Sequence, residues 1–540
     1  MSYPPQPTAP GGQSGAAQPQ PTYGQQSPSF GQSPQQPPYG QSHGQSHGQS
    51  YGQPVGGPPQ PTYGQQPPYG QSPQQYGQQP LYGQPPQGYP PQPPERPRRR
   101  GLKAVLIVLG TFLGLVALAA GYVVYHVSTR PGPVDLGGDN SPYQKIAAGM
   151  TAALVAKDEE AFVKPFKSEE LKAKQRKVFR NLVKIPWEQA HWETQFAAPL
   201  NGDMWVTFVH QVKGVDSKPV GETFNWRVEP GTTAPVITDV TGTKGLDGKT
   251  SAGDFYPGPW DLYDELVVEV RDHLVVVADK GQAAELQRDV DVLAQAAKDD
   301  LDAWKKSGPP PAAGRESARG YFVVLEKQRE VYNKLYAGDG RENDGLEAGV
   351  NMPIPVHAPD STSRDKESGG SRIVMDTSLS RFTSAQWRDG VTEIGRHEMG
   401  HATVEVLGTE TVLVEGIQDT RMWVIEGFAD YMAFRGKEDR AKADAQASLQ
   451  GYRFGGTLPE SLGFYADQAK DRSAHYSLSA LAVQYMAQKY GEDKAFAFVA
   501  AHYADPKAYE QQITTATGLP LKQFQSDWAA WVRSYVPGIR

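Results

Sequence analysis

From Met1 to Pro94 the chain shows neither the alternation of a strand nor the 3.6-residue stripe of a helix. Pro, Gln, Gly, Ser and Tyr fill this stretch, and the unit Tyr-Gly-Gln recurs at Tyr23, Tyr39, Tyr51, Tyr63, Tyr69, Tyr76 and Tyr82. Lys, Arg, Asp and Glu are missing from it. With so few aliphatic residues the segment cannot offset the entropy of ordering its backbone, so residues 1–95 are expected to be a disordered tail. An unbroken apolar run follows, AVLIVLGTFLGLVALAAGYVVY from Ala104 to Tyr125. At about 1.5 Å per residue it is long enough to cross a hydrocarbon core, so residues 96–127 read as a basic flank and one transmembrane helix.

Beyond the span the pattern becomes globular. STRPGPVDLGG opens a Gly/Pro/Asp-rich linker over 128–140. YQKIAAGMTAALVAKDEEAFVKPF then carries the spacing of an amphipathic helix pair, and MWVTFVHQV and TFNWRVEP alternate as antiparallel strands do. Residues 141–253 are expected to form a small α+β domain, loosely similar to the cone-shaped nuclear-transport-factor type. From 254 to 540 apolar runs (HLVVVAD, GYFVVLEK, RIVMDTS) alternate with helical stretches, and from Ser384 onward the pattern is helical. That sequence of elements predicts a mixed-sheet lobe followed by a helical lobe with a cleft between them.

Charge and composition orient this arrangement. Arg96, Arg98, Arg99, Arg100 and Lys103 precede the span, whereas Arg130, Asp135 and Asp139 follow it. The positive-inside bias places the tail in the cytoplasm and the later domains outside the cell, in a single-pass protein of the cell membrane. Gly110 and Gly114 give the span a small-xxx-small spacing, so self-association through the span or the tyrosine-rich tail is open. No cysteine occurs, which excludes disulfides, thiolate metal sites and cysteine nucleophiles. The formal net charge of −7 offers no footprint for nucleic acid.

The chemistry concentrates in GVTEIGRHEMGHATVEVLG, Gly390 to Gly408. Ser384 is the expected N-cap of a helix over 385–407, with Trp387, Val391 and Ile394 as its inward stripe. His397, Glu398 and His401 continue that stripe at helical spacing. Two imidazoles and a carboxylate buried without partners would cost several kcal/mol, a cost that a cation ligated by both histidines removes. A third ligand is available in RMWVIEGFADYMAFRG. There Glu426 and Asp430 lie four apart on a second helix that Gly436 ends, so Glu426 can reach a metal while Asp430 accepts a histidine ring N–H.

HEMGHA followed by WVIEGFADYM resembles the gluzincin metallopeptidases of the thermolysin and M1-aminopeptidase type. The resemblance covers roughly residues 274–536, and W-x-x-E-G-F-A is especially similar to the aminopeptidase branch. It implies one Zn2+ held by His397, His401 and Glu426, with Glu398 as general base and Asp430 orienting a ligand histidine. It also implies a downstream helical Tyr or His that stabilises the oxyanion, for which Tyr476 and then His475 in SAHYSLSALAVQYMAQKYG are the candidates. The aminopeptidase branch carries a Gly-x-Met-Glu-Asn strand, and the nearest stretch here, GVNMPIP at Gly349, has no glutamate. Endopeptidase and exopeptidase both remain open.

Two function classes follow. One is a membrane-tethered zinc peptidase that acts on a peptide or protein substrate outside the cell. The other is a non-catalytic binding or scaffold protein on a peptidase fold. An intact Glu398 favours the enzyme, since a scaffold has no use for a base beside its metal. RIVMDTS, Arg372 to Ser378, is the expected sheet edge for an extended peptide. His273, His357 and His502 read as structural histidines.

Overall fold

The structure, a computed structural model, describes residues 141–539 apart from 196–198, 232–233, 243–256, 313–314, 337–347, 358–366, 409–419 and 466–467. The tail, the expected transmembrane helix and the linker lie outside the described residues. Among the described residues no helix is long and apolar enough to cross a membrane.

Three helices come first: α1 (Pro142–Ala156), α2 (Glu159–Val163) and α3 (Glu169–Leu182). Ser141 and Gln144 form a capping box at the start of α1, with Pro142 in its first turn. A four-stranded antiparallel meander follows, β1 (Trp187–Thr194), β2 (Asp203–Val212), β3 (Val220–Glu229) and β4 (Val236–Gly242). The two strands expected from alternation are β2 and β3, paired from Asp203↔Arg227 to His210↔Val220.

The second sheet begins after a single helical turn, α4 (Pro259–Leu262). It contains β5 (Leu266–Arg271), β6 (Leu274–Asp279), β7 (Tyr321–Glu326), β8 (Gly349–Pro355) and β9 (Ser368–Asp376). Helix α5 (Ala283–Ser307) connects β6 to β7, and α6 (Arg329–Tyr336) follows β7. The strand order is β5-β6-β7-β9-β8, with β6, β7 and β9 parallel and the outer pairs antiparallel. The expectation that Arg372–Ser378 forms the sheet edge is therefore corrected. That strand is β9, enclosed between β7 and β8, and the edge belongs to β8. Strand order depends on chain crossovers that local periodicity does not encode.

Both faces of the second sheet are buried, which is why its strands read as continuous apolar runs. Val275, Val277, Phe322, Val324 and Val374 join one core with α1–α3 and the first sheet. Their neighbours Val276, Ala278, Tyr321, Val323, Leu325, Ile373 and Met375 face the opposite way and pack against α5 and the later helices. A period of two thus divides each strand between two cores.

The remaining elements are helical. They are α7 (Ser380–Thr383), α8 (Trp387–Glu405), α9 (Met422–Phe434), α10 (Glu438–Ser448), α11 (Ala469–Tyr490), α12 (Glu492–Ala504), α13 (Tyr509–Thr517) and α14 (Leu521–Tyr535). Helix α8 starts later than expected, because Ser384 closes the short α7 and Gln386 takes the cap position. Gly436, with φ +79°, stands just past α9, where only glycine is unstrained. The structure is thus α+β, with two sheets and a helical C-terminal part.

One buried ion pair ties the two sheets together. Arg372 on β9 donates through both terminal nitrogens to the Asp216 carboxylate, at 2.6 and 2.9 Å, and neither side chain is exposed to solvent. Asp216 also accepts the Val212 N–H at 2.8 Å at the end of β2. A Cβ on Gly370 would stand 2.2 Å from Asp216 Oδ1, so only glycine admits the carboxylate there. Removing one partner strands a buried charge. Asp216→Ala is therefore expected to lower the unfolding free energy by about 3–5 kcal/mol in denaturant melts, and Asp216→Leu combined with Arg372→Met by far less. Equal losses in both variants would contradict this account.

Candidate metal centre

The centre is built where α8, α9 and α11 approach almost backbone to backbone. A Cβ on Gly400 of α8 would meet Ala429 Cα of α9 at 3.2 Å. One on Gly427 of α9 would meet the Ser479 carbonyl oxygen of α11 at 2.5 Å. Glycine at both positions lets short side chains from separate helices converge. Arg396, 4% exposed, fixes the crossing. Its Nε donates to Asp300 of α5 at 2.8 Å, and its Nη1 to the Arg435 carbonyl at the end of α9 at 3.0 Å. Burial pushes the Asp300 carboxyl up to about 7, and the Arg396 charge opposes that rise.

At this crossing His397, His401 and Glu426 bring their ligand atoms within 4.8 Å of one another. His397 Nε2 lies 3.2 Å from His401 Nε2 and 3.3 Å from Glu426 Oε2, and His401 Nε2 lies 3.5 Å from the same oxygen. Ligand bonds of about 2.0–2.1 Å in a tetrahedron imply ligand-to-ligand edges of roughly 3.3–3.4 Å. The three separations lie close to those edges, so the residues present could hold a zinc ion.

Asp430 Oδ1 lies 2.7 Å from His397 Nδ1. A carboxylate can only accept, so Nδ1 carries hydrogen and Nε2 is left facing Glu426. Burial works against protonating His397, yet Asp430 and Glu426 outweigh it and hold its pKa well above the imidazole value. Burial likewise opposes, and Glu426 enforces, a raised pKa at His401. Burial would raise the Glu426 carboxyl, but the His401 charge and hydrogen bonds from both rings drive it far below the usual range. Without metal the cluster neutralises itself by ion pairing.

Glu398 is buried on α8 directly under β8, since a Cβ on Gly349 would touch its Oε1 at 2.8 Å. The Tyr476 ring centroid lies 6.1 Å from that of His397, so this tyrosine borders the cluster. His475 turns elsewhere. Its Nδ1 lies 2.8 Å from the Phe464 carbonyl, and its ring packs on Tyr452 and Phe464. Sequence reasoning missed Tyr465, whose hydroxyl donates to Glu426 Oε1 at 2.5 Å. It sits in a turn without periodicity, and only the adjacent Phe464–Tyr465 pair could have drawn attention to it.

Among the described residues no strand pairs with the outer side of β8 near Glu398. Ala348 accepts from Asp376, and Val356 donates to Glu367, so the even-numbered positions face the sheet and the odd ones face outward. Of the outward positions Gly349, Asn351, Pro353 and Pro355, the two prolines lack an N–H. The far end is covered by the first sheet through the Val220↔Val356 bridge. Asn351 itself donates to Glu405 of α8, whose carboxyl burial pushes up to about 8.

No family model matches the chain, and no curated protein matches it. Among solved structures it is similar to a mutant of a two-domain M1 zinc metallopeptidase bound to L-tryptophan, at 15% identity and TM-score 0.28, over 51% of this chain and 52% of that one. A mutant M1 zinc metallopeptidase from Deinococcus radiodurans matches at 15% identity and TM-score 0.27, over 59% and 57% of the two chains. A further M1 zinc metallopeptidase structure from that organism matches at 13% identity and TM-score 0.28, over 66% and 91%. The chain spans about half the length of the first two.

His502 holds the start of α9, accepting the Arg421 N–H on Nε2 at 3.0 Å. Burial pushes its imidazole down to about 4. The fold favours neutral His502, so its stabilisation is complete above the unfolded value of about 6.5 and is lost as pH falls toward 4. His502→Gln keeps an acceptor that does not titrate. The advantage of wild type over this variant is expected to shrink by on the order of 3 kcal/mol between pH 6.5 and 4, measured by unfolding at each pH.

Proposed function

We propose that this chain is a zinc-dependent peptidase whose active site is the His397–His401–Glu426 cluster. The observation that carries the reading is the set of 3.2, 3.3 and 3.5 Å separations between the three ligand atoms. Bound there, zinc would supply Lewis acidity, polarising a scissile carbonyl and acidifying a water molecule. The chain's own residues do the rest. Asp430 fixes the His397 tautomer. Glu398 takes the proton of the attacking water and returns it to the leaving nitrogen, so one carboxylate serves as base and then as acid. Its charge reaches both imidazoles, which supports a place beside the metal. The Tyr476 hydroxyl donates to the oxygen that gains charge in the tetrahedral state. His475 holds the turn that contains Phe464 rather than sharing that role.

An extended substrate would pair along β8 at Gly349 and Asn351, the positions whose N–H groups face outward. Pro353 and the covered far end limit that pairing to a short register. Short pairing suits cleavage of flexible peptide segments and leaves endopeptidase and exopeptidase action both open. The basic flank and the apolar run at 104–125 support a membrane-tethered enzyme with its active site outside the cell.

Three outcomes test this reading. His397→Ala and His401→Ala are expected to lose zinc and peptide hydrolysis together, measured on the purified full-length protein. Glu398→Gln is expected to keep zinc and fold while turnover falls by at least about 10²–10⁴-fold. A fully active Glu398→Gln protein would rule out the base assignment, and a zinc-loaded but inactive wild type would favour the scaffold reading. Protease added to intact cells should remove the domains beyond Arg130 and spare the Tyr-Gly-Gln repeats, and the opposite pattern would reverse the topology.

A further inference from the structure

The fold treats the two carboxylate oxygens of Glu426 differently. Oε2 faces the imidazoles, 3.3 Å from His397 Nε2 and 3.5 Å from His401 Nε2. Oε1 accepts the Tyr465 hydroxyl.

The turn that presents this tyrosine is fastened at three points. Ser461 Oγ donates to the Thr420 carbonyl at 2.5 Å and accepts the Met422 N–H at 3.0 Å. Those contacts lie at the first turn of α9, the helix that carries Glu426 itself. Phe464 is fully buried in the helical core. His475 Nδ1 bonds to the Phe464 carbonyl, which joins the turn to α11. Tyr465 stays 44% exposed, with its ring centroid 5.3 Å from Phe464 and 6.4 Å from Tyr476.

We propose that Tyr465 is a positioning residue that makes Glu426 a one-oxygen ligand. An unrestrained carboxylate beside a metal can rotate and chelate with both oxygens. Chelation would consume a coordination position needed by water or by a substrate carbonyl. A hydroxyl that holds Oε1 opposes that rotation, since turning Oε1 toward the metal would break the hydrogen bond. His475 contributes by holding the Phe464 carbonyl, and Ser461 by tying the turn to the same helix as the ligand. The inference rests on the zinc reading above and adds a role that ligand spacing in the sequence does not contain.

The test uses purified full-length protein as wild type, Tyr465→Phe and Ser461→Ala. Zinc affinity is measured by competition with a chelating dye, and cobalt(II) loaded in place of zinc reports coordination number through its visible absorption. Four-coordinate cobalt(II) absorbs strongly, and higher coordination weakens the band. Tyr465→Phe removes only a hydroxyl from a half-exposed ring, so the thermal unfolding of metal-free protein should hardly change. Its zinc affinity is expected to fall about 10–100-fold, as for other groups that orient a ligand, with a weakened cobalt band. At saturating zinc the loss should appear in kcat more than in KM. Ser461→Ala should shift both metal readouts in the same direction by less. Unchanged affinity and spectrum in Tyr465→Phe would overturn the proposal while leaving the zinc site standing. A wild type that takes up neither metal would overturn the zinc reading and this proposal with it.

Discussion

Contact between helix backbones is the constraint on which the centre depends. His397, His401 and Glu426 are short relative to a helix diameter of about 10 Å, so ordinary side-chain packing would hold the two histidines of α8 away from Glu426 of α9. Gly400 against Ala429, and Gly427 against Ser479, remove the intervening side chains. Arg396 then locks the crossing by reaching both α5 and the end of α9. The polar groups brought together this way are buried, and burying them singly would cost several kcal/mol each. Raised histidine pKa values and a depressed Glu426 show how the metal-free cluster meets that cost. A metal ion bound there would have to displace those protons, which would couple its affinity to pH.

The second sheet serves the centre from beneath. One face joins the core of α1–α3 and the first sheet, and the other packs against α5 and α8. Strand β8 runs past Glu398 closely enough that Gly349 cannot carry a side chain without displacing the carboxylate. The first sheet, which holds no ligand, covers the far end of that strand through Val220 and Val356. It therefore limits where an extended chain could lie, at a distance from the chemistry.

Features with a local cause were legible in the sequence. The i, i+4 histidines on a buried stripe, the i, i+4 pair Glu426 and Asp430, and the glycine stop at Gly436 all follow from helix geometry. Continuous apolar runs correctly marked β6, β7 and β9. What escaped depends on relations between distant segments. GVNMPIP, with two prolines and little alternation, does not read as a strand, yet it is the edge, because strand order is set by crossovers. Tyr465 escaped because a turn has no period, and its value comes from Ser461, Phe464 and His475 acting together. The pairing of Arg396 with Asp300, ninety-six positions earlier, is likewise contained in no local pattern. The expected boundary at residue 253 falls among residues that the structure does not describe, and described residues before and after it share one apolar core.

The Arg372–Asp216 pair has a consequence for the order of folding. Its partners are 156 positions apart, so the contact closes a long loop and repays its desolvation only once both sheets are nearly in place. Such a non-local contact belongs late on the folding path, after local hairpins and helices have formed. Strand β9 leads through α7 directly into α8, the helix that carries both histidines. The helix that carries both histidines therefore begins shortly beyond a strand that this buried pair anchors to the first sheet, so a defect in the pair would be transmitted to the candidate site through β9.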